Sequence, residues 1–275
     1  MFWPPPSLNL RLYLRFSFFI TSILLEVLLS SFSHIKAILF DMDGTLRHNR
    51  PSYQETFFNI ATRLGAPITD ETHYQAKRWL HYYWAKSGEL LSDQRVYADD
   101  SKAFWTNHAR LLLSALGCTP DLAAAWAPKA FQMMNDEFKP QDWVPPDVHV
   151  TLEKLRAANY RLAVLSNRSR PFQEQMENLG LAPYFEFALH AGEAEAWKPE
   201  PQVFQRAVER LGCPPAETLY VGDNYFADVV GARRASLVPV LIDPEGLFPE
   251  ADCAVIQGVG DLPELLRNGK NLSDQ

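Results

Sequence analysis

Cysteine is scarce in this chain. Three occur in 275 residues, Cys118, Cys213 and Cys253. They are odd in number, far apart and outside any metal-ligand spacing, which argues against a disulfide framework or a structural zinc site and fits a reducing compartment. Positive charge is not in excess either. Lysine and arginine total 26 against 33 aspartates and glutamates, a formal net charge of −7, so no broad basic surface for nucleic acid is expected. There is no internal repeat and no low-complexity tract. Apolar residues are plentiful, at 47%. They suffice for a core, and the length fits one large domain or two ordinary ones.

Charge is thinnest in the first 34 residues, which hold only Arg11, Arg15 and Glu26. Residues 16–32 read FSFFITSILLEVLLSSF. Two arginines ahead of an apolar run have the form of a signal peptide or signal anchor. Three features oppose that reading. Glu26 would lie inside the span at a cost of about 3 kcal/mol near a bilayer centre. No small-x-small cleavage site follows. Ile35 already begins the next element, IKAILF, with no tether between. Residues 1–34 are therefore set aside as an N-terminal extension, arising from an extended translation start or forming an arm, and the remainder is expected to be cytoplasmic. A membrane anchor through residues 16–33 is the alternative, and contact with a membrane is expected only under it.

Residues 35–40 are a short, nearly continuous apolar run, as in a strand covered on both faces of a parallel sheet. Runs of the same kind follow at residues 161–166 (RLAVLS), 218–221 (TLYV) and 238–242 (VPVLI). Helical patterns lie between them. Val148, Leu152 and Leu155 share one face. Val203, Phe204, Ala207, Val208 and Leu211 mark another, with Pro201 near the start and Gly212 near the end. Strand and helix in alternation predict a doubly wound, Rossmann-like parallel α/β sheet. Residues 48–146 lack strand-like runs and break near residues 65–67, 87–88 and 117–120, which predicts about four helices inserted after the first strand. The expected division is a core of residues 35–47 and 147–275 and a helical insert of 48–146. Trp79, Trp84, Trp105 and Trp126 fall in the insert. They read first as helix-bundle core, and alternatively one or two of them line a pocket.

Ligands in open α/β sheets bind beyond the carboxyl ends of the strands, and every such end here carries polar residues. Asp41 and Asp43 follow the first run. Two residues apart on a strand end, they are expected to bring two carboxylates together, which favours a cation or a raised pKa. Gly44 lets the backbone turn and approach a ligand. Ser166, Asn167 and Arg168 follow RLAVLS, where a hydroxyl and backbone N–H groups can bind phosphate oxygens. Lys198 precedes a helix and supplies a point charge. Asp223 and Asn224 follow the TLYV run, with Asp228 five residues past Asp223. Three carboxylates with water suit Mg²⁺, and a carboxylate nucleophile beside an acid/base and Mg²⁺ suits phosphoryl transfer.

These residues resemble the haloacid dehalogenase-like hydrolase superfamily. ILFDMDGTL (Ile38–Leu46) is similar to its first motif, LAVLSN (Leu162–Asn167) to the second, Lys198-Pro199 to the third and VGDNYFADVVGARRA (Val221–Ala235) to the fourth. Insertion of helices directly after the first motif resembles a type 1 cap, as in the phosphoglycolate phosphatase-like branch. The resemblance implies that Asp41 attacks phosphorus to form an aspartyl-phosphate and that Asp43 protonates the leaving oxygen and then activates water. It implies Mg²⁺ held by Asp41, the Asp43 backbone carbonyl and Asp223, and a phosphoryl group bound by Ser166 and Asn167 with Gly44 and Thr45 of the first motif. Lys198 would stabilise charge, with Asp228 orienting it, Asn224 in support, and the cap closing over the site. The substrate class is a small phosphorylated metabolite. Asp43 favours a phosphatase over a dehalogenase. A sugar phosphomutase or other phosphoryl transferase shares all four motifs and is the runner-up, ahead of a non-catalytic binding protein. Arg168-Ser169-Arg170 departs from the commonest pattern. Arg168 is expected either at the surface near a helix start or against an anionic substrate group, and Arg47 and His48 are further candidates for substrate contact.

Overall fold

The computed structural model describes residues 32–271, with side chains through Arg267. The elements run, in order, β1 (Ala37–Phe40), β2 (His48–Arg50), α1 (Tyr53–Leu64), α2 (Asp70–Trp84), α3 (Gly88–Val96), α4 (Ser101–Ala115), α5 (Pro120–Glu137), β3 (Gln141–Trp143) and α6 (Pro146–Ala157). There follow β4 (Arg161–Ser166), α7 (Gln173–Asn178), β5 (Ala188–His190), α8 (Ala191–Ala194), α9 (Pro201–Leu211), β6 (Thr218–Gly222), α10 (Val230–Arg234), β7 (Val238–Ile242), β8 (Ala254–Ile256) and α11 (Leu262–Asn271).

Six strands form one parallel sheet in the order β5-β4-β1-β6-β7-β8. β1 lies near its middle, and all four of its residues are buried. Alternation along a strand sends Ile38 and Phe40 into the apolar layer beneath α6 and α11, and Ala37 and Leu39 into the opposite layer, which α9 and α10 cover. The sheet is thus covered on both faces, as its continuous apolar runs require. α9 begins at Pro201 and stops at Gly212, which is left-handed (φ 64°), as the punctuation predicts.

Several details differ from the sequence reading. β5 and β8 are three-residue edge strands too short to show a pattern. The insert holds five helices, because Asp100 caps α4 and separates it from α3 where no glycine or proline marks a break. It also carries a strand at each end. β2 and β3 pair antiparallel, His48 opposite Trp143, so the chain leaves and rejoins the core through one two-stranded ribbon. The helices between them share an apolar cluster of their own, built on Phe57, Ile60, Leu112, Leu116 and Ala127. Residues 32–34, placed with the extension on sequence, belong to the core at least in part, since Phe32 is buried in the sheet's apolar layer. The readings made for residues 1–31 lie outside the described residues. Among the described residues, no helix is long and apolar enough to cross a membrane.

The helical cluster encloses one polar ring. His108 is fully buried, and Tyr53, Trp79, Tyr83, Trp84 and Trp105 all lie within ring contact of it. The Tyr53 hydroxyl lies 3.1 Å from its Nδ1. Burial lowers the His108 pKa to about 4. An unfolded chain binds this proton below about pH 6.5 and the native one only below about 4, so this stability is present above the window and lost as pH falls through it. The two and a half units correspond to about 3 kcal/mol. His108→Phe should therefore flatten the acid limb. In urea unfolding at about pH 7.5 and 4.5, the wild type should lose about 2.5 kcal/mol more than the variant, and parallel losses would contradict the assignment.

Candidate active site

The register of the central strands assembles the site. Phe40 pairs with Val164 on one side and Val221 on the other, so Asp41, Ser166 and Asp223 emerge at the same edge of the sheet. The Asp41 N–H still donates to the Val221 carbonyl at 2.8 Å, which holds Asp41 in line with β1.

Lys198 occupies the centre. It is 2% exposed, and its Nζ lies 2.6 Å from Asp41 Oδ1, 2.7 Å from Asp228 Oδ1 and 2.9 Å from the Tyr220 hydroxyl. Tyr220 donates to the Leu165 carbonyl at 3.1 Å and so accepts from the ammonium. The three N–H donors of Lys198 are all used. Burial alone would lower its pKa. Asp228 and Asp41 outweigh burial and raise it well above the usual lysine value, so the ammonium stays charged.

The carboxylates outnumber it. Oxygens of Asp41, Asp223 and Asp228 lie within 4.8 Å of one another. Burial, with the nearby Asp228 and Asp43 charges, pushes Asp41 up to about 7 against the pull of Lys198. Burial and the charges of Asp41 and Asp228 raise Asp223 well above the ordinary carboxylate range. Three carboxylates against one ammonium leave two negative charges, the condition under which hard oxygen ligands take up a divalent cation. Asp228 is the least free of the three. Its Oδ1 holds Lys198, and its Oδ2 accepts from the Asn224 N–H at 2.9 Å. Residues 225–229 form a π turn, which returns Asp228 from the end of β6 to Lys198. Gly44 completes the cradle. Its φ is +94°, and a Cβ there would meet Asp223 Oδ2 at 2.4 Å, so glycine serves both the turn and the close approach. The Thr45 hydroxyl lies 3.5 Å from Asp223 Oδ1.

Other sequence-predicted residues fall elsewhere. Asp43 acts on Asp41 as expected, its charge helping to raise that carboxyl, although β1 ends at Phe40 and strand alternation does not reach residue 43. The carboxylate group of three contains Asp228 in place of Asp43. The Asp43 side chain is instead held by the Arg168 guanidinium in two parallel bonds, both 2.6 Å, and by Arg47 at 3.2 Å. Arg168 is thus not a free surface residue, and it lines the cleft while it holds Asp43. Arg47 also reaches Asp142 at 3.1 Å, which ties the first motif to the ribbon. The Asn167 amide is committed to the Lys198 backbone, donating to its carbonyl at 3.0 Å and accepting from its N–H at 2.7 Å. Its side chain therefore positions Lys198, and Asn167 also lines the cleft. Ser166 is buried and faces the same cleft. Asn224 caps the turn after β6 and donates to the His81 carbonyl of α2 at 3.0 Å, a bond between core and insert.

A cleft of about 1180 Å³ opens over these groups, lined from below by Ser166, Lys198 and Asp223 and from above by the insert. α2 is docked across it. Tyr74 donates to the Leu247 carbonyl at 2.9 Å, Arg78 reaches Leu247 and Glu250, and Lys77 pairs with Glu245. Trp84 and Trp105 line the cleft while Trp79 and Trp126 pack on the helical cluster, so the four tryptophans divide between the two roles. Sequence reasoning missed Tyr220, whose only signal was a hydroxyl in an otherwise apolar strand, and the pairing of Arg168 with Asp43, which carries no sequence signal.

Residues 35–236 match the model of a family described as haloacid dehalogenase-like hydrolase. The chain is 32% identical over 218 residues to the glyceraldehyde 3-phosphate phosphatase of Methanopyrus kandleri, covering 76% of this chain and 84% of that protein. It is 26% identical over 242 residues to haloacid dehalogenase-like hydrolase domain-containing protein 3 of Danio rerio, covering 85% and 97%. A crystal structure of a predicted phosphoglycolate phosphatase from Haemophilus somnus superposes with a TM-score of 0.52 at 22% identity, covering 84% and 98%, a likeness of fold.

The charge balance predicts opposite effects of two substitutions in metal-free buffer. Asp223→Asn removes a crowded negative charge and should raise the urea midpoint. Lys198→Met leaves buried carboxylates unpaired and should cost about 3–5 kcal/mol. Unfolding curves in EDTA decide it, and a loss on Asp223→Asn equal to that on Lys198→Met would contradict the balance.

Proposed function

The chain belongs to the haloacid dehalogenase-like hydrolase family and is a phosphatase, and we propose that it hydrolyses a small phosphorylated metabolite through an aspartyl-phosphate on Asp41, with Mg²⁺ as cofactor. The observation that carries this reading is the pairing of Asp41 with the buried Lys198 at 2.6 Å, at a strand end that opens into the cleft.

Asp41 is the nucleophile. Lys198 orients its Oδ1, leaving Oδ2 for phosphorus, and lowers the cost of the ionised form that attack requires. Ser166 and the backbone at the end of β4 receive the phosphoryl oxygens. The residues present fit a hard divalent cation, since Asp41 and Asp223 converge with excess negative charge and Asp228 is already engaged. Asp41 and Asp223 would hold magnesium, which would supply a Lewis-acid charge for the phosphoryl oxygens. Asp43 delivers the proton to the leaving oxygen and afterwards takes one from water. The Arg168 fork and Arg47 orient it. Helices α1–α5 act as a cap that walls the cleft and limits water. The named activity of the Methanopyrus relative supports a small phosphate ester as substrate.

Purified protein with Mg²⁺ should release phosphate from a generic phosphomonoester and lose this in EDTA. Asp41→Asn should abolish turnover, and retention of near wild-type rates would overturn the nucleophile. Arg168→Lys keeps the charge but not the fork, so kcat should fall by about tenfold. An unchanged kcat would show that the fork does not orient Asp43.

A further inference from the structure

The cleft is larger than a three-carbon ester such as glyceraldehyde 3-phosphate requires. Cavities of about 300–1000 Å³ serve drug-sized ligands, and this one reaches about 1180 Å³. Its composition is uneven. Toward the sheet it is polar and charged. Toward the insert, aromatic rings stand among polar side chains such as Gln54, Glu55 and Gln94.

The aromatic part is continuous. Tyr53 at the start of α1, Trp84 at the end of α2 and Trp105 in α4 all line the cleft. The Trp84 and Trp105 ring centroids are 5.8 Å apart, and those of Tyr53 and Trp105 are 6.0 Å apart. Trp84 remains 38% exposed despite these neighbours, so a large apolar face stands open inside a concave site. Such a face gains most by covering a planar ring.

A cation lines the same cleft. Lys86 lies two residues past Trp84 and has φ 57°, a left-handed conformation rare for lysine. Its Nζ sits 4.7 Å from the ring centroid of Trp197, the residue next to Lys198. Lys86 lines the cleft and makes no ion pair among the described residues. Burial lowers its pKa, opposed only by the more distant Glu200. A half-buried ammonium with a ring for a partner and no carboxylate in reach has room for an anionic oxygen.

We propose that the substrate is a phosphomonoester whose alcohol carries a planar aromatic ring and a second anionic group, the ring covering Trp84 and Trp105 and the anion meeting Lys86. This rests on the phosphatase reading for the phosphoryl end alone.

The test compares three alkyl phosphates of similar leaving-group reactivity: butyl phosphate, 2-phenylethyl phosphate and 2-(4-carboxyphenyl)ethyl phosphate. With the full chain and Mg²⁺, kcat/KM should rise about tenfold at each step as ring and then carboxylate find partners. Trp84→Leu should collapse the first step. Lys86→Asn, which keeps a residue tolerant of left-handed backbone, should collapse the second. Calorimetric binding of 3-(4-carboxyphenyl)propylphosphonate provides an arm without turnover, and both substitutions should weaken it. Equal kcat/KM for the three esters in the wild type would overturn the inference and leave the phosphatase standing. If all three esters are inert while the phosphonate binds and both variants weaken it, the cleft assignment stands and the phosphatase reading fails.

Discussion

Everything at the sheet edge depends on one buried ammonium. Lys198 contacts Asp41, Asp228 and Tyr220 within 2.9 Å in a site nearly closed to water. A lysine in that position is costly unless its donors are matched and its charge is balanced. The surroundings meet both conditions. Asn167 clamps its backbone from two directions, the Tyr220 hydroxyl is turned by the Leu165 carbonyl, and a π turn brings Asp228 back from β6. The motifs after β4 and β6, and the lysine between them, are parts of one cation-holding device.

The same ammonium limits what the site can carry. One positive charge cannot neutralise Asp41, Asp223 and Asp228 together, and burial along with this shortfall raises Asp41 and Asp223. The site is therefore built for further positive charge beside Asp41 and Asp223, which a phosphoryl group, itself anionic, also requires. A chain of net charge −7 can thus act on an anionic ester, because the local balance and not the overall charge decides. The second positive feature, the Arg168 fork, belongs to Asp43, whose charge adds to the crowding at Asp41.

Part of what was legible in the sequence was set by strand ends. Asp41 and Asp223 were readable because parallel strands in register bring their carboxyl ends together whatever their separation along the chain, whereas Lys198, just before a helix, and Asp228, in the turn after β6, were picked out by the resemblance of their motifs. The doubly wound sheet was readable because buried strands must be continuously apolar. What escaped depended on where a side chain turns after its strand has ended. Asp43 lies past the last residue of β1, so alternation no longer governs it. Asn167 was read as a phosphate ligand, with no sign that its amide meets the backbone of residue 198. β2, β3, β5 and β8, at three residues each, hold too few positions to show a period. The roles of Trp84 and Lys86 depend on how the helices of the insert pack, which helical spacing does not specify.

The central claim is that Lys198 presents Asp41 as the attacking group. The most direct measurement is acid quenching of the protein during turnover of a phosphomonoester with Mg²⁺, followed by peptide mass spectrometry. The account predicts a single phosphoryl group on the peptide bearing Asp41, present in wild type and absent in Asp41→Asn. Steady turnover with no label on Asp41, or with the label on another residue, would contradict it.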